Sequence, residues 1–206
     1  YREMDEANML LRTEDGTYGT FDFFGMQTFI DPTNPETRKY VWNLVKEHYY
    51  DLGIKNYWLD EAEPEIRPQQ YHNMKMYVGN GAQTAMIYPY HYSQLFYEGL
   101  KSEGEEDIIL LTRAAYPGTQ KWGSLVWNGD IQSTYDALRM SIKTGLSMTM
   151  CGIPWWNSDI GGFFNGDIES DYFRELIVRW MQFGIFCPVT RIHGTRNRVK
   201  DQAPAA

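Results

Sequence analysis

Four carboxylates, Asp60, Glu61, Glu63 and Glu65, lie within six residues, directly after Tyr57, Trp58 and Leu59 in "IKNYWLDEAEPEI". An apolar run that ends in acid can carry a reactive carboxylate to a pocket rim. A second ending of this kind is Asp130 in "VWNGD". Two carboxylates at one rim suit glycoside hydrolysis. One attacks the anomeric carbon or supports attack by water, and the other protonates the leaving oxygen. Their surroundings must differ, so that one is ionised and the other protonated near neutral pH. Arg113 closes "DIILLTR" between them. Its charge can keep one carboxylate ionised, or it can hold a sugar hydroxyl.

Each residue also has a plainer reading. An Asp after a strand commonly caps a helix or forms a turn. Glu61, Glu63 and Glu65 read as solvated loop charges or helix-start residues, with Pro64 setting the bend. Asp159 in "NSDIGGF" reads as the support of a Gly-Gly turn, and His193 as a core histidine.

The elements that must position these groups alternate. Residues 34–53 read as a helix with Asn34 as cap, Pro35 at its first position and Gly53 as its stop. Its apolar face is Val41, Leu44, Val45 and Tyr49. Strand 54–60 follows, then a helix from about Tyr90 to residue 103, strand 107–113 and a weaker strand 124–130. Next come helix 133–148, with Leu138, Ile142 and Leu146 at helical spacing, and a strand then loop over 152–159. Helix 171–184 and a last strand, 186–194, close the pattern. Units of about 30 residues in a βαβα rhythm indicate a parallel sheet covered by helices. The five strands end in Asp60, Arg113, Asp130, Asp159, then Arg191 and His193. Functional groups at successive strand ends are the arrangement of a (β/α)8 barrel, whereas a doubly wound sheet gathers them at one switch point. A whole barrel takes about 250 residues. The 206-residue chain therefore reads as one incomplete TIM barrel domain, roughly its C-terminal strands, with upstream strands and flanking domains absent.

Composition narrows the partners. A net charge of −8 argues against a nucleic-acid backbone or an anionic membrane. No apolar run approaches the roughly 20 residues that span a bilayer. Glycine patterns for a nucleotide site and fixed-period repeats are both missing. Aromatic residues make up 16% of the chain, and their flat faces suit sugar rings as well as a core. Cys151 and Cys187, in apolar surroundings without a CxxC partner, read as buried free thiols. The four histidines have no metal-ligand spacing. The ends, "YREMDEANML" and "DQAPAA", read as those of a piece of a longer protein, so compartment and oligomeric state stay open.

Four segments, in order, resemble glycoside hydrolase family 31, the retaining α-glycosidases that include α-glucosidases and α-xylosidases. "YWLDEAEPE" is similar to the family's nucleophile motif. "LLTRAAYPGTQKWGSLVWNGD" and the stretch through "GIPWWNSDIGGFFNG" resemble its acid/base region and the strand after it. "FCPVTRIHG" resembles the last barrel strand. The resemblance implies Asp60 as the nucleophile that forms a covalent β-glycosyl ester, and Asp130 as the acid and then base. It implies Arg113, Asp159 and His193 as hydrogen-bonding partners of the sugar, Trp58, Trp127 and Phe163 as the pocket wall, and Glu63 as a supporting partner. Retention implies carboxyl groups about 5–5.5 Å apart. No metal or organic cofactor is implied, and the partner is an oligosaccharide or glycoside. "DEAEPE" and the Gln of "YPGTQKW" lean towards the α-xylosidases. The alternatives are an α-glucosidase or transglycosylase using the same aspartates, and a non-catalytic carbohydrate-binding barrel. The presence of both aspartates counts against the last.

Overall fold

The computed structural model describes residues 1–17, 20–22, 26–64 and 71–196. Glu65 and the C-terminal tail lie outside the described residues. The chain forms two compact units, Tyr1–Ser124 and Leu125–Ala206.

The first unit runs α1 (Arg2–Glu6), β1 (Arg12–Thr13), β2 (Thr20–Asp22), β3 (Met26–Thr28), α2 (Pro35–His48) and β4 (Tyr57–Leu59). It continues with β5 (Met74–Met76), β6 (Gly79–Asn80), α3 (Gly81–Thr84), α4 (Tyr88–Ser102) and β7 (Leu110–Thr112). β2 and β3 pair antiparallel, and β5 pairs antiparallel with both β1 and β6. The functional part is the parallel pair β4 and β7, in register Tyr57↔Leu110, Trp58↔Leu111 and Leu59↔Thr112. The connection between them carries α4, as a parallel crossover requires.

α2 starts as its sequence predicts. Pro35 takes the first turn, and the Asn34 side chain accepts the Glu36 N–H at 2.9 Å. A single 3-10 turn, Tyr50–Leu52, then ends at Gly53 with φ 95°. The predicted apolar face is only half right. Val41 and Val45 pack on the core, but Leu44 and Tyr49 are exposed and Trp42 is buried. Trp42 fits because α4 offers Gly99 there. A Cβ at that position would lie 2.0 Å from the indole ring. Leu59 and Leu110 face this core with Leu95, Phe96 and Leu100 of α4.

The second unit holds β8 (Ser124–Trp127, starting at the boundary residue), α5 (Tyr135–Met150), β9 (Trp156–Asn157) and α6 (Asp171–Gly184). β8 and β9 are parallel, with Val126 opposite Trp156, and α5 is their crossover helix. Thr134 caps α5 and Ser170 caps α6 through their side-chain oxygens. α5 differs from its predicted face. Leu138 is buried, but Ile142 and Leu146 are exposed, and the buried positions are Ser141 and Gly145. Trp156 occupies that side, and a Cβ at residue 145 would come within 2.5 Å of its Nε1. α6 buries Phe173, Leu176 and Trp180, and the Trp180 Nε1–H donates to Ser158 Oγ at 2.8 Å.

The predicted strands over 54–60, 107–113, 124–130 and 152–159 all form, each shorter than read. The predicted strand 186–194 does not. It is bends and irregular chain with one parallel bridge, Asp159↔Arg191, and the Ile160 N–H donates to the Arg191 carbonyl at 3.1 Å. Pro188 has no N–H to give a ladder. The cysteines are free thiols but not buried: Cys151 is exposed and Cys187 half-buried. Among the described residues no helix is long and apolar enough to cross a membrane.

Candidate active site

In the first unit the strand ladder places the chemistry. Leu59 and Thr112 are paired and buried, and the next residues, Asp60 and Arg113, leave the sheet together. The Arg113 N–H donates to the Leu59 carbonyl at 3.3 Å, which extends the ladder by one step. Alternation along β4 turns Trp58 and Asp60 away from the face that buries Leu59. Trp58 is 49% exposed.

Arg113 gathers the acids that follow β4. Its Nε and Nη2 donate to Glu63 Oε1 at 2.8 and 2.7 Å. Nη2 also lies 3.0 Å from Glu61 Oε2, and Nη1 lies 3.3 Å from Asp60 Oδ1. Burial lowers the guanidinium's pKa, but the Glu63 hydrogen bond and the charges of Glu63, Glu61 and Asp60 outweigh it, so the net shift is upward. The same acids act on α4. Burial, with Asp60 and Glu61 adding to it, pushes the Tyr92 hydroxyl up to about 12. Arg113 is thus ion-paired with the acids that follow β4.

The Asp60 side chain is 48% exposed. One expectation changes here. Glu61 is not a solvated loop charge. It takes a left-handed backbone at φ 49°, pairs with Arg113, and gives its own N–H to Asp60 Oδ1 at 3.0 Å.

In the second unit Asp159 is fully buried and bonded to Arg191, its partner in the backbone bridge. Burial raises its carboxyl pKa, Arg191 opposes that, and Asp130 adds to it. The Arg191 guanidinium lies over the Trp127 ring, 5.1 Å from the centroid. Trp127 itself is buried. The turn read for Asp159 also forms, since its carbonyl accepts the Gly162 N–H at 2.9 Å. Asp130 is exposed after β8. Phe163 and His193 face each other at 5.3 Å with ring planes 33° apart. So Trp127, Arg191 and Asp159 form one contact chain, and Phe163 and His193 a second. Among the described residues no group of His, Cys, Asp and Glu could hold a metal ion.

The whole chain, residues 1–206, matches the family described as "Glycosyl hydrolases family 31 TIM-barrel domain". The chain belongs to glycosyl hydrolase family 31. It is 42% identical over 196 residues to an "Uncharacterized family 31 glucosidase ORF2" of Pseudescherichia vulneris, covering 95% of this chain and 37% of that protein. It is 37% identical to an "Alpha-xylosidase" of Saccharolobus solfataricus, covering 82% of this chain and 24% of that protein. Its fold superposes with a TM-score of 0.92 on the crystal structure of a GH31 α-xylosidase from a soil metagenome complexed with xylose. That match has 49% identity and covers 96% of this chain and 29% of the solved one. The chain thus spans well under half the length of these relatives.

Family 31 membership makes the strands part of a TIM barrel, in which active sites lie at the C-terminal strand ends. Asp60 and Arg113 follow β4 and β7, and Asp130 and Asp159 follow β8 and β9. Sequence reading named Arg191 at the end of the last strand-like segment but missed the structural weight of Glu61 and Tyr92, whose parts depend on a backbone turn and a helix packing that no spacing encodes.

Proposed function

We propose that this family 31 barrel serves a retaining α-glycosidase that releases terminal α-linked sugars, with α-xylosides as substrates. The observation that carries the reading is the Asp60 carboxylate. It stands half-exposed at a strand end, beside a firmly charged arginine and held through one oxygen. Among the described residues both of its contacts fall on Oδ1, from the Glu61 amide and from Arg113. Oδ2 is therefore the oxygen that attacks.

In the first step Oδ2 bonds to the anomeric carbon as the glycosidic C–O bond breaks, and Asp130 gives its proton to the leaving oxygen. The product is a β-glycosyl ester and a free aglycone. In the second step Asp130 takes a proton from water, and the water oxygen bonds to the anomeric carbon as the ester C–O bond breaks. The sugar leaves with its α configuration, and both aspartates return to their starting states. A sugar hydroxyl in place of water would give transglycosylation. Trp58 offers its exposed face to the sugar, and Asp159 and His193 bind hydroxyls. Phe163 orients His193, and Trp127 supports Arg191.

The xyloside reading is supported by the Saccharolobus solfataricus α-xylosidase and by the xylose-bound metagenome enzyme. The Pseudescherichia vulneris relative, described as a glucosidase, supports the second reading, an α-glucosidase of the same mechanism. Assay of the full-length protein with p-nitrophenyl α-xyloside and α-glucoside side by side decides. Preference for xyloside supports the proposal. Preference for glucoside keeps the mechanism and changes the substrate. Inactivity on both points to a different sugar or to the non-catalytic carbohydrate-binding barrel.

A further inference from the structure

Glu61 is the residue that the chemistry above leaves unused. A left-handed backbone costs a non-glycine residue about 1–2 kcal/mol, so a glutamate at φ 49° needs a compensating reason. Two contacts supply one. The turn points the Glu61 N–H at Asp60 Oδ1, 3.0 Å away. The side chain places Oε2 3.0 Å from Arg113 Nη2.

The distances around Arg113 rank its partners. Glu63 is nearest at 2.7 Å, Glu61 follows at 3.0 Å, and Asp60 is farthest at 3.3 Å. The guanidinium is therefore drawn towards the two glutamates and touches the aspartate more loosely. A carboxylate held tightly by an arginine is less basic and a poorer nucleophile. One whose arginine is shared keeps more of its electron density for attack.

We propose that Glu61 is a positioning residue for glycosylation: its carboxylate shares Arg113 so that Asp60 stays nucleophilic, and its left-handed amide fixes the orientation of the Asp60 carboxylate. This rests on the reading of Asp60 as nucleophile. Among the described residues, the charged and titratable groups around Asp60 include Glu61, Glu63 and Arg113, with Tyr92 from α4. Removing the Glu61 charge leaves Arg113 closer to full strength on Asp60 and so weakens Asp60 as a nucleophile.

The test uses the full-length protein, kcat and KM on an aryl α-xyloside or α-glucoside, and the variants E61Q, E61D and E61G. E61Q should lose about tenfold in kcat/KM, mostly in kcat. E61G keeps the left-handed turn without the carboxylate and should behave as E61Q does. It decides the matter if E61Q folds poorly. E61D restores the charge and should recover the rate. Wild-type rates in E61Q and E61G overturn the inference. So does a loss carried by KM alone, a loss in E61Q that E61G does not share, or no recovery in E61D. An inactive wild type, or activity surviving in D60A, overturns instead the assignment of Asp60 on which the inference stands.

Discussion

Asp60 and Arg113 stand side by side on neighbouring parallel strands, each one residue beyond the Leu59–Thr112 register pair, with 3.3 Å between Oδ1 and Nη1. The parallel register of β4 and β7 aligns the two strand ends, and the burial of Leu59 and Thr112 fixes that register.

If Asp60 is the nucleophile, Asp60→Ala removes the atom that forms the ester. Turnover should fall to background, and added azide should restore it by attacking from the vacated side. The restored product should carry the inverted configuration, read by NMR. Rescue with retained configuration would contradict the assignment.

Asp130 is assigned the proton donated to the leaving oxygen. Aryl groups that depart with little protonation need that proton less. Asp130→Ala should therefore slow natural disaccharides at least 100-fold more than activated aryl glycosides, within the range general acids contribute. Equal losses on both substrates would remove Asp130 from the role.

Arg113 is nearly buried, at 11% side-chain exposure, and balances three carboxylates. Arg113→Leu should cost about 2–4 kcal/mol, because it takes from Glu61 and Glu63 the cation they share. Urea unfolding of the full-length protein reads this, and an unchanged stability would argue against the clamp.

Asp159 gives stability a pH dependence. Burial, opposed by Arg191, holds its folded carboxyl above the ordinary 3.8. The folded state thus binds this proton more tightly than the unfolded chain. Stability from this group is full below 3.8 and is lost as pH rises through the folded value. Asp159→Asn removes that fall and leaves a constant penalty for the lost Asp159–Arg191 ion pair. The stability advantage of wild type over Asp159→Asn should shrink as pH rises from about 3.5 to 7. A gap that stays constant would contradict the burial of the carboxyl.

The sequence carried much of this. The acid-tipped strand, the cap at Asn34 and the alternation of strands and helices can all be read from residue types and spacing. What could not be read depends on packing between elements. Gly99 and Gly145 admit Trp42 and Trp156, and so decide which faces of α2 and α5 are buried. The last strand shrinks to the Asp159↔Arg191 bridge in a segment that contains Pro188. Glu61 looked like one more solvated acid because its left-handed turn, which aims it at Arg113, has no spacing signature.

The central claim is that Asp60 becomes covalently attached to the sugar. The direct measurement is to inactivate the full-length protein with a 5-fluoro-α-xylosyl fluoride, digest it, and locate the added mass by tandem mass spectrometry. One glycosyl group on Asp60, in the peptide carrying "YWLDEAEPE", is the predicted result. A label on any other residue, or full activity after the treatment, would contradict it.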